Sequence, residues 1–223
     1  MKIVVAAATG FELEPLREYL TERIYLKNHH KITCLVTGVG LVNTAWAITK
    51  HIITEKPDLA IQAGIAGSFS PLFPPSTVVV VKEDLVADLG VMENEEWKDI
   101  YDLSLADPHL PPVNNKKFVN PHFSLMEKLP LRQVKAVSVN EITTSADRTH
   151  IYIQKYCPVV ESMEGAAFHK VCLEEQVPFV QIRAISNFIG ERDKSTWKMA
   201  ESIARLNENI ILMINKIAEL HQI

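Results

Sequence analysis

The 223 residues carry 23 Lys and Arg against 27 Asp and Glu, for a net charge of −4, and 47% are hydrophobic. That balance excludes collagen-like, low-complexity and disordered chains. Its mild acidity gives no electrostatic footprint for nucleic acid or an anionic membrane.

The length suits one substantial core, and residues 1–223 are read as a single domain. Residues 2–8 form an apolar run, as in a parallel strand buried on both faces. Acidic Glu12 and Glu14 follow at once, so the run reads as a strand rather than a leader peptide. Residues 12–20 place Leu13, Leu16 and Leu20 at helical spacing. His29-His30 is a turn before a second core strand at 31–37. Gly38-Val39-Gly40 is a turn, and 42–54 is a helix ended by Pro57. Residues 58–63 are a strand running into Gly64-Ile65-Ala66-Gly67-Ser68. Residues 70–76 are a loop, and 77–81 are the most β-prone run. Residues 89–123, rich in Pro, Asn and Asp, form a long excursion of the kind that serves function or moves. Strands at 134–139 and 158–160, a helix at 164–176 and a strand at 179–185 follow. A helix at 196–220 aligns Ile203, Leu206, Ile210, Met213, Ile214 and Ile217 on one face.

Alternating strands and helices imply an α/β fold around a largely parallel or mixed sheet. Ligands in such folds bind beyond the carboxyl ends of strands, here at loops 9–12, 37–41, 64–68, 138–147, 161–165 and 186–197. No apolar run approaches the roughly 18 residues of a membrane span. Cys34, Cys157 and Cys172 form no CxxC pair and read as free buried thiols in a reducing cytoplasm. The eight His show no metal-ligand spacing, so no metal is implied. Gly38, Gly40 and Asn43 supply only two glycines of a dinucleotide fingerprint, and neither a P-loop nor a GxSxG elbow is present.

Four segments carry more weight together: Ala8-Thr9-Gly10-Phe11-Glu12, Ala63-Gly64-Ile65-Ala66-Gly67, Ser162-Met163-Glu164-Gly165 and Arg183-Ala184-Ile185-Ser186-Asn187. In this order the chain resembles the purine nucleoside phosphorylase/nucleosidase superfamily over essentially its whole length, and within it the hydrolytic branch. The resemblance implies a nucleoside phosphorylase-type three-layer fold, a mixed central sheet flanked by helices. It also implies a small-molecule purine nucleoside substrate, no cofactor and a homo-oligomer. Gln62, the run Ala87-Asp88-Leu89-Gly90 and residues 186–197 resemble members that release hypoxanthine from a benzoate-bearing nucleoside.

Cleaving an N-glycosidic bond creates an oxocarbenium-like ribosyl centre and an anionic purine. The site therefore needs a base to orient water, an acceptor for ribose and a donor at the leaving base. The resemblance assigns water activation to Glu12. Glu14, two residues on, reads as a first-turn helix charge. Glu164 is a bidentate acceptor for the ribose hydroxyls, with Met163 as an apolar floor. Against this stand Met163 as core, Glu164 as a helix-start charge and Glu161 as a rival acceptor. Gly165 is expected to let backbone approach ligand. Asn187 and Ser186 would hold the base. An amide NH2 can serve both acceptors of a 6-oxopurine, O6 and N7, whereas adenine-releasing relatives carry Asp there.

The resemblance places a phosphorylase Arg at Gln62 and its Ser or Thr at Ile65. Neither residue can hold a phosphate, so hydrolysis is expected. Residues 140–144 match the base-binding segment, where Ile142 stands in place of an aromatic. Arg192, with Trp197 as a wall, is the candidate for the benzoate. An Arg192–Asp193 pair and a Trp packed under the loop are the alternatives. Residues 89–115 either cover the substrate or form a subunit contact. An adenine nucleosidase and a nucleoside-binding protein without turnover are the rival functions.

Overall fold

The computed structural model describes residues 1–23 and 30–220. The element order is β1 (Lys2–Ala7), a 3-10 turn (Phe11–Leu13), α1 (Glu14–Glu22), β2 (Lys31–Val36), α2 (Leu41–Glu55), β3 (Leu59–Ser68) and β4 (Val78–Asp84). There follow β5 (Gly90–Glu93), β6 (Glu96–Asp99), β7 (Phe118–Val119), α3 (Phe123–Met126), β8 (Arg132–Ser138) and α4 (Ala146–Tyr156). The chain continues with β9 (Val160–Ser162), α5 (Gly165–Glu174), β10 (Phe179–Phe188) and α6 (Met199–Leu220).

Among the described residues, eight strands form one mixed sheet, with β1, β2, β3 and β10 parallel and β4 antiparallel to β10. Strand β10 pairs with both β3 and β4, and β4, β8, β9 and β3 continue around from there. Five strands thus close into a ring, and β1 and β2 extend it as an open wing. Both faces of β1 are covered, whereas β2, last in the strand order and expected as a second core strand, is only partly buried. Ile3 and Val5 of β1 pack in the cluster that holds Leu13, Leu16, Leu206, Ile210 and Met213. Their neighbours Val4 and Ala6 face Ile48, Ile52, Phe168 and Cys172 from α2 and α5. Alternate residues of one strand therefore enter two cores, which is why the run is apolar throughout. Each such Leu, Ile or Phe contributes about 1.5–3 kcal/mol by leaving water.

Several elements differ from expectation. The 12–20 helix begins in a 3-10 turn, with α1 proper starting beside Pro15. Strand β3 does not stop at Ala63 but runs to Ser68, so Gly64 and Gly67 lie inside it. Other side chains occupy the space a Cβ would take there: Arg183 Nη1 would sit 2.2 Å from one at Gly64, and Ile189 Cδ1 2.5 Å from one at Gly67. Helix α4 is an addition, started by Ser145, whose side chain accepts from the Arg148 amide. Strand β9 starts at Val160, two residues later than its sequence pattern suggests. Cys157 is exposed and Cys34 half-buried, so only Cys172 matches the buried-thiol expectation. The His29-His30 turn lies partly outside the described residues; His30 is buried at the edge of β2.

The long excursion is ordered by two devices. Strands β5 and β6 form a hairpin whose turn residues Asn94 and Glu95 both have positive φ, 51° and 65°, as a tight primed turn requires. Lys116 and Lys155 then bridge Asp99 and Asp102, with Lys116 Nζ 2.6 Å from Asp102 and 3.1 Å from Asp99. Trp97 Nε1 donates to Tyr156 Oη at 3.0 Å, tying the hairpin to α4.

Candidate active site

A cavity of about 490 Å³ opens at the strand ends. Its walls come from the segment after β1, the ends of β3, β9 and β10, the loop before α4 and the start of α6. Glu12, Ile65, Ile142, Met163, Glu164, Ser186, Asn187, Arg192 and Trp197 all line it. These residues are up to 185 positions apart in sequence, from Glu12 to Trp197, and the fold brings them to one space.

Glu12 is turned inward by the 3-10 turn and is buried. Its Oε2 accepts from the amide and hydroxyl of Thr9, each at 2.9 Å, and Oε1 accepts from the Ile65 amide at 3.1 Å. Three donors from two segments fix one carboxylate. Asn207 of α6 clamps the turn from behind, donating to the Glu12 carbonyl at 3.0 Å and accepting from the Leu16 amide at 3.1 Å. Glu14 is exposed and lies 4.0 Å from Arg17, a surface pair on the first turn of α1.

Glu164 sits at the start of α5. It accepts from the amides of Gly40 and Met163 and from Arg183 Nη1, each at 3.3 Å. Arg183 is buried in β10 and also donates to the Ile65 carbonyl at 3.4 Å. Its Nε and Nη2 have no partner among the described residues. The sequence signal for Arg183 is a lone cation inside an apolar strand run. A buried charge of that kind needs a partner, and Glu164 is the one it finds.

Gly165 does not face a ligand. A Cβ there would lie 2.1 Å from Asp84 Oδ2 and 2.3 Å from Gln181 Nε2, so the glycine lets α5 seat against a buried polar layer. Ser138 Oγ donates to Asp84 at 3.0 Å and accepts from the Ala166 amide at 2.8 Å, while Ser162 Oγ accepts from the Gly165 amide. These hydroxyls satisfy the first amides of α5. Burial pushes the Asp84 carboxyl up to about 7, against the pull of Arg183 and of its hydrogen bonds. Burial also holds His169, whose Nδ1 lies 3.0 Å from the Phe118 carbonyl, down at about 4.

Asn187 is aimed by an irregularity. Strand β10 pairs with β3 in regular steps to Ile185, then shifts register before Asn187. Such bulges re-aim side chains near sites. Ser186 Oγ lies 2.7 Å from Asn187 Oδ1, and Asn187 Nδ2 donates to the Phe188 carbonyl at 2.8 Å. That leaves one amide N–H for the cavity.

Arg192 stacks on Trp197, its Cζ 5.4 Å from the ring centroid. No ion pair joins it to Asp193 among the described residues; Asp193 instead accepts from the amide and hydroxyl of Ser195. Ile142 lies on the rim and is half-exposed. Glu161, the rival acceptor to Glu164 in sequence, has different partners from it. Glu161 is buried, and its Oε1 accepts from the Thr143 amide at 3.0 Å. Burial raises its carboxyl above the usual range, with the Thr143 groups opposing. No residue of 89–115 lines this cavity. Leu89, Ile100, Tyr101 and Val113 line a larger apolar one of about 790 Å³ beside α2 and α5.

A ring of mixed strands, helices on both faces and a strand-end cavity of carboxylates and an amide define a nucleoside phosphorylase-type α/β protein. The chain belongs to the phosphorylase superfamily, whose sequence profile matches residues 2–219. It is 28% identical over 183 residues to the futalosine hydrolase of Streptomyces coelicolor, covering 79% of this chain and 75% of that one. It is 27% identical over 231 residues to the 5'-methylthioadenosine/S-adenosylhomocysteine nucleosidase of an Exiguobacterium species, covering 96% of each. The structure of Helicobacter pylori futalosine hydrolase shares the fold, with a TM-score of 0.81 at 18% identity over 97% of this chain and 98% of that one.

Proposed function

We propose that this chain hydrolyses the N-glycosidic bond of futalosine, releasing hypoxanthine and dehypoxanthine futalosine as a step of menaquinone biosynthesis in the cytoplasm. The observation that carries this reading is one cavity lined by Glu12, Glu164 and Asn187 together. In it, Glu12 orients and deprotonates water. Glu164 accepts the ribose hydroxyls over Met163, and Arg183 keeps that carboxylate in place. Charge develops on the purine as the bond breaks, and the free N–H of Asn187, held by Ser186, meets it. An amide surrenders no proton, so the leaving base is stabilised by hydrogen bonding rather than by full acid catalysis. Ile65 supplies an apolar wall, Ile142 an apolar contact for the base, and Arg192 on Trp197 a cation for the benzoate carboxylate. No cofactor takes part. A homo-oligomer belongs to the same reading, supported by the exposed Val42, Trp46 and Ile53 along α2.

A second reading, cleavage of an adenine nucleoside, is favoured by the methylthioadenosine-type relative that spans the whole chain. Chromatography of free base from futalosine, inosine and methylthioadenosine separates the two. Hypoxanthine from futalosine is expected to appear first. Adenine release outpacing it would install the second reading, and binding without cleavage would make the chain a nucleoside-binding protein. Glu12→Gln is expected to slow turnover by about 100-fold or more without unfolding the chain. Arg192→Ala should raise KM for futalosine about tenfold and leave inosine unchanged, as loss of one charge-assisted contact predicts.

A further inference from the structure

Glu161 and Asn187 stand in one row of the sheet. Strand β9 pairs with β3 so that Glu161 lies opposite Gly67, and β10 pairs with β3 so that Asn187 lies opposite the same glycine. Residues opposite one another across a sheet project to the same face. Their backbones are therefore about 10 Å apart, two strand spacings, and the floor between them is supplied by Ile189, whose Cδ1 lies 2.5 Å from where a Cβ of Gly67 would be. Asn187 Nδ2 hangs 3.8 Å from where a Cβ of Gly67 would be, so the amide leans over that floor. The gap matches a purine held by a hydrogen bond at each edge.

The chemistry of the two walls differs. Asn187 offers an N–H. Glu161 lines the cavity and offers an acceptor: its Oε1 is committed to the Thr143 amide, while Oε2 is buried and has no hydrogen-bond partner among the described residues. A buried polar atom left unpaired costs free energy that a bound partner recovers. A 6-oxopurine presents acceptors at O6 and N7 on its Hoogsteen edge and a donor, N1–H, on the neighbouring Watson–Crick edge. Adenine presents an acceptor at N1, which would face Glu161 oxygen to nitrogen lone pair.

We propose that Glu161 is a specificity-determining residue for the base: its Oε2 accepts N1–H of a 6-oxopurine while Asn187 donates to the O6/N7 edge. The inference rests on the purine-nucleoside reading above and adds to it the residue that rejects adenine. The discrimination is not Asn187's alone, because an amide can also pair with adenine. As a carboxylate, Glu161 presents no donor and so removes that ambiguity.

The test compares wild type and Glu161→Gln on futalosine and on its 6-amino counterpart, and measures hypoxanthine and adenine binding to both proteins. Glutamine keeps the shape and adds an N–H that adenine N1 can accept. The ratio of kcat/KM for the 6-oxo over the 6-amino substrate is expected to fall at least about tenfold in the variant, the scale of one lost base-edge contact. Equal slowing of both substrates would reduce Glu161 to a brace for Thr143 and overturn the inference while leaving the hydrolase reading intact. Conversely, a wild type that cleaves neither nucleoside but loses its hypoxanthine preference in the variant would sink the hydrolase reading and keep this one. Wild type alone gives a check that needs no variant. 1-Methylhypoxanthine, which lacks N1–H, should bind at least about tenfold more weakly than hypoxanthine, and equal binding would overturn the proposal.

Discussion

Asp99 and Asp102 meet Lys116 and Lys155 in four ion-pair contacts, whereas Glu164 alone of the three cavity carboxylates Glu12, Glu161 and Glu164 pairs with a cation among the described residues, Arg183. The first cluster closes on itself and fastens the excursion after β4 to helix α4. The second leaves Glu161 Oε2, Arg183 Nε and Arg183 Nη2 buried and unpaired. A protein tolerates such atoms at a cost, and a cluster that completes its own pairing has no use for them. Matched charge here marks scaffold, and the charge left unmatched belongs to Glu161 on the cavity wall and to the partner of Glu164.

The largest test of that contrast is Arg183→Met. Removing one partner of a buried pair typically costs about 3–5 kcal/mol, because the other charge stays buried. Denaturant titration should show a loss of that order, and substrate affinity should fall with it as Glu164 loses its anchor. Retained stability would mean that Glu164 is held by the Gly40 and Met163 amides alone.

A middle-sized effect is expected from pH. Asp84 holds its proton to about 7 in the folded chain against 3.8 ordinarily, so between those values the folded state binds the extra proton. That group removes stability as pH rises through the window. His169 works the other way: held at about 4 against 6.5, it leaves the unfolded chain binding more protons, so stability grows as pH rises from about 4 to 6.5. In wild type the two oppose each other. Asp84→Asn removes one, and its stability should fall more steeply with acid between pH 6.5 and 4.5 than that of wild type. Parallel curves would show that Asp84 does not carry its proton in the folded chain.

Lys155→Met should do least. Lys155 is partly exposed, and Asp99 and Asp102 keep Lys116, so the expected loss is about 1 kcal/mol with kcat unchanged. A large loss of activity would attach the excursion to the chemistry after all.

Much of the fold was legible in runs such as 2–8, where β1 is buried on both faces and so reads as unbroken apolar sequence, whereas β2, read as a second core strand at 31–37, is only partly buried. Helix α4 was missed although its Ser145 cap and the Tyr152–Tyr156 spacing were visible; the flanking Thr, Asp and Arg masked them. The continuation of β3 through Gly64 and Gly67 had no local signal, since its cause is an arginine and an isoleucine more than a hundred residues away. The same holds within the site. Glu12, Glu164 and Asn187 stand out by residue type and motif. The fate of Glu161 depends on which residue of β3 it meets, and pairing register is set by the whole sheet rather than by neighbours in the chain.

Asn207 has a consequence for how the protein is made. It reaches from α6 to the backbone of Glu12 and Leu16, near the other end of the chain. The turn that presents Glu12 is thus tied to a helix made about 195 residues after it. A nascent chain stalled before residue 199 already holds nearly all the cavity residues but not the clamp behind the first of them. Competence would then wait for α6 to leave the ribosome and dock.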